Sequence, residues 1–579
     1  MNYLNELLLS KLVAYLAHPY VDLPIEINKL KFSSAEETQI FDRSKSNKVL
    51  LRYIKYEEYK KFLIKYGIVS ELVKRRIMFR TEYNNALSLK QELLEVIEKF
   101  NEQSIDTMFI KSLNSLPLDS DNFDIIVKDK DLLASIKLLE SLGFVEIPWV
   151  REPYKWLFRY VSGGKDYLAI HLHTAVAWEG IKFIDVDHLL KGRRTLKIDG
   201  IDVGVPSQED HLLITLAHAF FENHSFSLND LLCVVEDLFS KEIDWDYVTN
   251  SIIEYCWFNP FYAMLILTNH VYQNLFGTEL IPKIVFEKLD VANNRNRNLP
   301  EKLINQYNAK PSLPIKLPLI SVADQYLRRI VSDNNISSKK KIGTILLITK
   351  GFLNRRLPFR QDRPAFIVFF VGQDGTGKTI HARYVWKELK KRKISVKYFW
   401  SRGMGLFFGP FLTLFRFMLL NSETRKVNKT QNEAAKILKR EPLKTIWSFI
   451  LLMDHLTKMM KIKLAMEFGN MVVCDRSIFD TFIDVKCDLG KTFSEVFERT
   501  VERLVPKPEI IFMMDAETRE LAKRRPKMKL SLIEKKRSAY FNYLHTKDGL
   551  YVINTSDDLQ KNREKILSKT LITLYSYHK

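Results

Sequence analysis

The sequence is poor in the features that mark secreted proteins. It has four cysteines among 579 residues, and they lack the close spacing of a metal site. A disulfide-dependent fold of this size would use more cysteines, so we expect a reducing, cytoplasmic location. No basic leader with a sustained apolar core and a small-residue cleavage site opens the chain, which argues against a signal peptide. The cysteines are Cys233, Cys256, Cys474 and Cys487.

Long uninterrupted apolar runs are also lacking. The most apolar stretch, residues 404–420, contains Pro410 and Arg416. It is shorter than the roughly 20 residues that a membrane-spanning helix needs. We therefore expect no transmembrane helix. We interpret the stretch as buried or lid-forming helices, with binding to a membrane surface as the alternative.

Positive charge, by contrast, is in excess. Lysine and arginine number 89 against 69 acidic residues, a formal net charge of +20. Such a field favours anionic partners, nucleotides among them. The basic residues are spread along the chain and no recognised nucleic-acid module accompanies them, so we do not expect a nucleic-acid partner. Hydrophobic residues make up 46% of the chain, enough for several globular cores.

Changes of residue pattern divide the chain into five predicted segments. Apolar residues at helical spacing come first, then short β-type runs with a helix that ends at Gly143. A second helical pattern opens with Ser207 and Asp210 at the spacing of a capping box, and three prolines then interrupt regular structure. The segments are 1–100 (helical leader), 101–205 (α+β domain), 206–309 (helical domain), 310–361 (linker) and 362–579 (a further domain).

The strongest motif follows the apolar, β-prone run Phe366–Val371, which is typical of a central parallel strand. Residues 372–379 read GQDGTGKT, and a helical pattern begins at once. They match the phosphate-binding pattern G-x-x-x-x-G-K-S/T without a gap. The alternative, a glycine-rich turn that matches by chance, would not require a strand before it and a helix after it.

This pattern has a chemical basis. Glycines let backbone N–H groups curl round a phosphate at the positive end of a helix. Lys378 would neutralise phosphate charge, and the Thr379 hydroxyl would ligate Mg²⁺, so ATP and Mg²⁺ are the expected cofactors. The predicted binding residues of the loop are Gly372, Asp374, Gly375, Thr376, Gly377, Lys378 and Thr379.

The loop, with Asp374 inside it, resembles the phosphate loop of thymidylate kinases and related P-loop nucleoside monophosphate kinases. In that family the matching aspartate faces the acceptor nucleotide. The family also places an arginine on the acceptor phosphate at the end of the next strand. Arg402 follows the strand-like run KISVKYFW here. The resemblance therefore implies that Asp374 and Arg402 contact an acceptor that carries a phosphate.

A second motif stands at the end of another apolar run, Met471–Cys474, where Asp475 and Arg476 follow. The pair is similar to the D-R pair of the same family. The resemblance implies that Asp475 holds Mg²⁺, directly or through water, and that Arg476 stabilises charge on the phosphates. Without the phosphate loop upstream, the two residues would be interpreted as a surface ion pair.

A third motif resembles the basic lid that closes over ATP in these kinases. Asp515 ends the strand-like run EIIFMMD, and the helix after it ends in the basic segment KRRPKMK. Arg524 and Arg525 are the best candidates for contacts with the transferred group. The alternative is a solvated helix end where cations favour the helix dipole. The predicted catalytic residues are Lys378, Arg476, Arg524 and Arg525.

The resemblance covers roughly residues 362–579, and the chain departs from the family in several places. Ser477 and Asp480 follow the D-R pair where the family commonly carries Tyr and then Ser. Asp454 and His455 stand where an Asp-Arg pair is usual. We therefore predict phosphoryl transfer to a small phosphate-bearing acceptor rather than to thymidylate in particular.

Residues 109–144 are similar to the opening of nucleotidyltransferase-fold proteins. Those proteins hold two Mg²⁺ ions on carboxylates of a D-x-D triplet, which here reads Asn122-Phe123-Asp124. His171 and His173 share one strand face and could bind a metal, but the pair lacks a third ligand. We interpret this half as a degenerate transferase fold, with active nucleotidyl transfer as the alternative.

The predicted fold class is α/β, with a C-terminal P-loop three-layer parallel sheet that carries helices on both faces. An α+β nucleotidyltransferase-like domain and helical regions precede it. The predicted function is an ATP-dependent phosphotransferase that acts on a nucleoside monophosphate-like acceptor. An ATP-binding regulatory module without kinase activity is the alternative for the C-terminal domain. A homodimer is compatible with either function.

Overall fold

The structure is a computed structural model. It describes residues 72–110, 122–148, 152–178, 180–184, 186–292, 298–332, 366–392, 394–400, 441–490 and 495–577, and short pieces within 10–18, 39–49 and 339–346. No described helix is both long enough and apolar enough to cross a bilayer. The apolar stretch 404–420 lies outside the described residues.

The chain forms two compact units. The first unit comprises residues 1–160 and 167–352, and the second comprises 161–166 and 353–579. Both mix helices with strands, so the mixed α/β composition predicted from the sequence is confirmed. The finer division into five segments stays a prediction.

Residues 72–332 contain ten α-helices and eleven strands among the described residues. In chain order they are α1 (Leu72–Glu102), β1 (Thr107–Phe109), β2 (Asn122–Val127), α2 (Leu132–Ser141), β3 (Phe144–Glu146), β4 (Lys155–Ser162), β5 (Lys165–His173), β6 (Val176–Trp178), β7 (Ile181–Ile184), α3 (Val186–Lys191), β8 (Arg194–Ile198), β9 (Ile201–Val205), α4 (Gln208–Ala217), β10 (Ser225–Phe226), α5 (Leu228–Ser240), α6 (Trp245–Glu254), α7 (Phe258–Phe276), α8 (Lys283–Ala292), α9 (Asn298–Ala309), β11 (Ile315–Lys316) and α10 (Leu319–Ser332).

A five-stranded sheet in the order β1-β2-β5-β4-β3 organises the N-terminal part of this region. Strands β2 and β5 are parallel neighbours. Helix α1 packs its buried Leu93, Ile97 and Phe100 into one core with Ile125 of β2 and Ile170 of β5. The apolar residues of α1 therefore recur on the helix face that packs against this sheet.

The second core of the first unit is largely helical. Helix α4 begins as predicted, because the Ser207 side chain accepts a hydrogen bond from the Asp210 N–H. The interval predicted as a linker contains helix α10, whose Val322, Tyr326 and Ile330 are buried in the same core as the helices before it. The three prolines precede this helix, and the regular structure between them is the two-residue strand β11.

The described elements between residues 366 and 577 largely alternate between strand and helix. They are β12 (Ile367–Val371), α11 (Lys378–Lys391), β13 (Val396–Trp400), α12 (Glu441–Glu467), β14 (Met471–Asp475), α13 (Ile478–Asp484), α14 (Glu495–Leu504), β15 (Ile510–Asp515), α15 (Thr518–Arg524), α16 (Leu530–Leu544), β16 (Leu550–Asn554) and α17 (Leu559–Tyr575).

The five strands of this region form one parallel sheet in the order β13-β14-β12-β15-β16. Strand β12 lies at its centre, and all its residues are buried. On one face, Phe369 of β12 and Cys474 of β14 share a core with Ile462, Phe482 and Tyr540 from three helices. Parallel strands end at the same edge of a sheet, so the residues that follow β12 and β14 lie close together.

Candidate functional site

A tight turn joins the central strand β12 to helix α11. Its three glycines have positive φ angles: 137° at Gly372, 96° at Gly375 and 83° at Gly377. Other residues rarely adopt such angles. At Gly372 a side chain is also excluded by space, because a Cβ atom there would collide with the carbonyl oxygen of Met514. The Thr376 hydroxyl closes the turn by donating to the carbonyl of Gln373 at 2.8 Å.

Lys378 lies buried against this turn. Its Nζ donates to the carbonyl oxygens of Gly372 at 2.5 Å and Gln373 at 2.7 Å. Burial, and then the nearby guanidinium of Arg476, lower the pKa of Lys378 from 10.5 to about 8. The ammonium is thus kept at the loop by neutral carbonyls in an environment that disfavours its charge. An anion at the loop would relieve that cost.

Thr379 and Asp475 meet across the two strand ends. The Thr379 hydroxyl donates to Oδ2 of Asp475 at 2.7 Å, and the Tyr398 hydroxyl donates to the same oxygen at 2.9 Å. Asp475 is fully buried. Its second oxygen, Oδ1, has no hydrogen-bond partner among the residues that the structure describes. Buried carboxylate oxygens are ordinarily paired, so this one is suited to a cation.

Arg476 follows directly and forms an ion pair with Asp374 of the loop. Its φ angle of 77° is unusual for a residue with a side chain. Burial alone would lower the pKa of Arg476, but the carboxylates of Asp480 and Asp374 raise it. Arg476 therefore stays charged at any working pH and links the two predicted motifs.

Asp480 is a buried acid beneath the loop. Its Oδ1 accepts from the Gly372 N–H at 3.2 Å and from the Tyr540 hydroxyl at 2.8 Å. Its Oδ2 accepts from the Ser477 N–H at 2.8 Å. Burial raises the pKa of Asp480, although Lys378 and Arg476 act in the opposite direction. Asp480 thus caps helix α13 and holds the first residue of the loop.

The two arginines predicted for the lid lie beside the loop. Arg524 donates to the carbonyl oxygens of Thr555 at 3.1 Å and Gly375 at 3.4 Å. The Arg525 side chain passes close to Gly375, where a Cβ atom would lie 3.1 Å from its Cγ. Both arginines are exposed. Two cations therefore stand at the outer side of the loop.

The structure brings together most of the residues predicted for this site. Loop residues 372–379 and the pair Asp475–Arg476 are in contact, and Arg524 and Arg525 flank them. Arg402 lies outside the described residues. The prediction did not include Tyr398 or Tyr540, which bind the two buried acids. The roles assigned to all these residues stay predictions.

A second polar cluster lies in the first unit, on β2 and β5. Oδ1 of Asp124 is 3.2 Å from Nδ1 of His171 and 2.8 Å from Nε2 of His173. Asp124 and His173 are buried and His171 is half-buried. The histidine pair that lacked a third ligand in the sequence therefore has a carboxylate beside it.

Comparison with known proteins gives one family match. Residues 119–273 match the model of a family described as uncharacterised nucleotidyltransferases. This part of the chain is thus nucleotidyltransferase-like, as its sequence indicates. Among solved structures, the chain is similar to a thymidylate kinase from Ehrlichia chaffeensis at 18% identity and a TM-score of 0.25, over 36% of this chain and 98% of that one. No curated protein matches the chain.

Proposed function

We propose that the second unit binds ATP with Mg²⁺ and transfers the γ-phosphoryl group to a small phosphate-bearing acceptor. One observation carries the proposal: Thr379 and Asp475 meet at the end of the turn, and a buried oxygen of Asp475 has no described partner. A carboxylate and a hydroxyl in this arrangement are suited to a Mg²⁺ ion that also contacts phosphate oxygens. We also propose that this unit has the P-loop arrangement of helices on both faces of the sheet.

The chemistry of the donors fits the proposed cofactor. Mg²⁺ prefers oxygen ligands and keeps several waters, so one hydroxyl and one carboxylate are sufficient protein ligands. When bound, the ion would neutralise charge on the phosphates. Thr379 and Asp475 would hold it, while Tyr398 keeps the carboxylate oriented through its hydrogen bond to Oδ2.

The cations around the loop would position and stabilise the phosphates. Lys378 would exchange its bonds to the carbonyls of Gly372 and Gln373 for phosphate oxygens, whose negative charge would add to that of Asp374 beside the buried ammonium. Arg476, Arg524 and Arg525 would stabilise the charge that develops on the transferred group. Such a site acts mostly by positioning and by electrostatics.

Asp374 and Arg402 would serve the acceptor. Asp374 lies between Arg476 and Lys378, with its Oδ1 4.0 Å from the lysine Nζ. An acceptor group that binds Asp374 would thus meet the transferring phosphate beside two cations. The sequence resemblance favours a nucleoside monophosphate-like acceptor.

The proposal is tested with purified full-length protein, ATP, Mg²⁺ and a panel of nucleoside monophosphates and sugar phosphates. Mass spectrometry of the mixture should reveal ADP together with one acceptor that has gained a phosphoryl group. ATP hydrolysis without a phosphorylated acceptor would contradict kinase activity and favour the regulatory-module alternative. Replacing Lys378 by Ala should abolish nucleotide binding whether the unit is a kinase or a regulatory module. This variant therefore serves only as a negative control.

A further inference from the structure

The Asp124–His171–His173 cluster stands on two neighbouring strands of the first sheet. Strands β2 and β5 are parallel, and Asp124 is paired in register with His171. His173 lies two residues further along β5, so its side chain is on the same face as that of His171. The register itself therefore places all three side chains side by side, without help from a loop.

The cluster faces away from the apolar core under helix α1. Phe123 and Ile125 of β2 and Ile170 and Leu172 of β5 all pack into that core. Alternation along a strand puts the three polar side chains of the cluster on the opposite face. Ile126, the neighbour of Asp124 on that face, belongs to the helical core of the same unit. The cluster thus lies on the face of the sheet that packs against the helical core, with Asp124 and His173 buried and His171 half-buried.

We propose that Asp124, His171 and His173 together bind one divalent transition-metal ion, of which Zn²⁺ is the working example. The three potential ligand atoms all lie within 4.8 Å of one another. Ligands bonded to one ion at about 2.0–2.2 Å lie about 2.9–3.5 Å apart. The two distances from Asp124, 2.8 and 3.2 Å, are close to this range, and the two ring nitrogens, which lie within 4.8 Å of each other, would have to move closer together.

The donor set selects the kind of metal. Two imidazole nitrogens and one carboxylate oxygen suit Zn²⁺ and its first-row neighbours, whereas Mg²⁺ and Ca²⁺ require mostly oxygen ligands. A nucleotidyltransferase that holds two Mg²⁺ ions needs several carboxylates. Here Asn122 stands where the D-x-D triplet has its first carboxylate. Three protein ligands leave the remaining positions to water or to an oxygen of a bound ligand.

Two substitutions separate a metal site from a structural hydrogen-bond cluster. In His171→Asn the side-chain amide nitrogen can replace Nδ1 as donor to Asp124, and in His173→Gln it can replace Nε2. Both variants keep the hydrogen bonds and lose the imidazole ligand. His188→Ala, which removes an exposed histidine of the same unit, is the matched control.

The experiment uses the tag-free full chain, stripped with a chelator, and a competitive titration of Zn²⁺ against a chromogenic indicator. We expect one Zn²⁺ per chain that millimolar Mg²⁺ does not displace. Each ligand variant should bind at least about 100-fold more weakly, since even outer-shell changes cost 10–100-fold. His188→Ala should bind as the wild type does. Circular dichroism checks that the variants are folded.

Three results would overturn the proposal. They are a folded wild type that takes up no Zn²⁺, ligand variants that bind Zn²⁺ as tightly as the wild type, and displacement of Zn²⁺ by Mg²⁺. If the variants do not fold, X-ray absorption at the zinc edge of the wild type decides. Two imidazole ligands in the coordination shell of the zinc would support the site. A coordination shell without imidazole would overturn the proposal.

Discussion

Replacing Asp475 by Asn distinguishes a metal-binding carboxylate from a structural one. The asparagine oxygen can still accept hydrogen bonds from the hydroxyls of Thr379 and Tyr398. The amide nitrogen would replace Oδ1, which has no described hydrogen-bond partner in the wild type. The free energy of unfolding of the ligand-free variant should therefore change by no more than about 1 kcal/mol.

The effect should appear only with ligand. At a concentration of 100 times its Kd, Mg-ATP stabilises the wild type by about 2.7 kcal/mol, and a hundredfold weaker Kd leaves about 0.4 kcal/mol. The difference of about 2.3 kcal/mol corresponds to about 5–9 °C in Tm for a unit of roughly 200 residues. Differential scanning fluorimetry with and without Mg-ATP measures it directly.

Asp515→Asn is the matched control, since Asp515 ends β15, which lies in the same sheet on the other side of β12. Its carboxylate accepts from Nε of Arg537 at 2.9 Å and from a terminal nitrogen of the same guanidinium at 2.7 Å. This pair is partly exposed, so its loss should destabilise the ligand-free protein by about 1 kcal/mol. The control should keep the full response to Mg-ATP. A full response in Asp475→Asn, or an equal loss in both variants, would refute the reasoning.

Three further predictions concern the same unit. Gly372→Ala should abolish nucleotide binding in a titration and lower Tm, because a Cβ atom at φ 137° collides with the carbonyl of Met514; binding as in the wild type would contradict this. Tyr540→Phe should lower the free energy of unfolding in urea by about 1–3 kcal/mol, because buried Asp480 loses a donor, and an unchanged midpoint would argue against that bond. Burial lowers the pKa of Lys378 to about 8 in the folded protein, against 10.5 unfolded, so from about pH 8 to 10.5 the unfolded chain binds more protons. The free energy of unfolding of the ligand-free wild type, relative to that of Lys378→Met, should therefore increase with pH across that interval by at most about 3 kcal/mol. A decrease would contradict the lowered pKa of Lys378.

Strands β12 and β14 could be predicted closely because they are fully buried, and buried parallel strands are continuous apolar runs. The run Phe366–Val371 corresponds to the observed strand Ile367–Val371, and Met471–Cys474 extends by one residue to Asp475. The turn between β12 and α11 was also predictable, since its glycines are required by positive φ angles. The pattern of neighbouring residues was therefore enough to predict the loop and the ends of β12 and β14.

The partners of the buried acids could not be predicted in this way. Tyr398 reaches Asp475 because β13 lies next to β14 in the sheet, and Tyr540 reaches Asp480 from a helix 60 positions further along the chain. Asp124 meets His171 through a strand pairing across 47 positions. Strand order and long-range packing decide these contacts, and a pattern of neighbouring residues carries no information on either.

The most direct measurement of the central claim follows two labels of ATP in parallel, one on the γ-phosphate and one on the α-phosphate. With Mg²⁺ and the acceptor panel, phosphoryl transfer at the loop predicts that the γ-label alone moves to a small phosphorylated product. Arg476→Gln should slow that transfer, because it removes a cation from the loop. Transfer of the α-label would instead reveal nucleotidyl transfer, and a γ-label found only in inorganic phosphate would contradict a kinase.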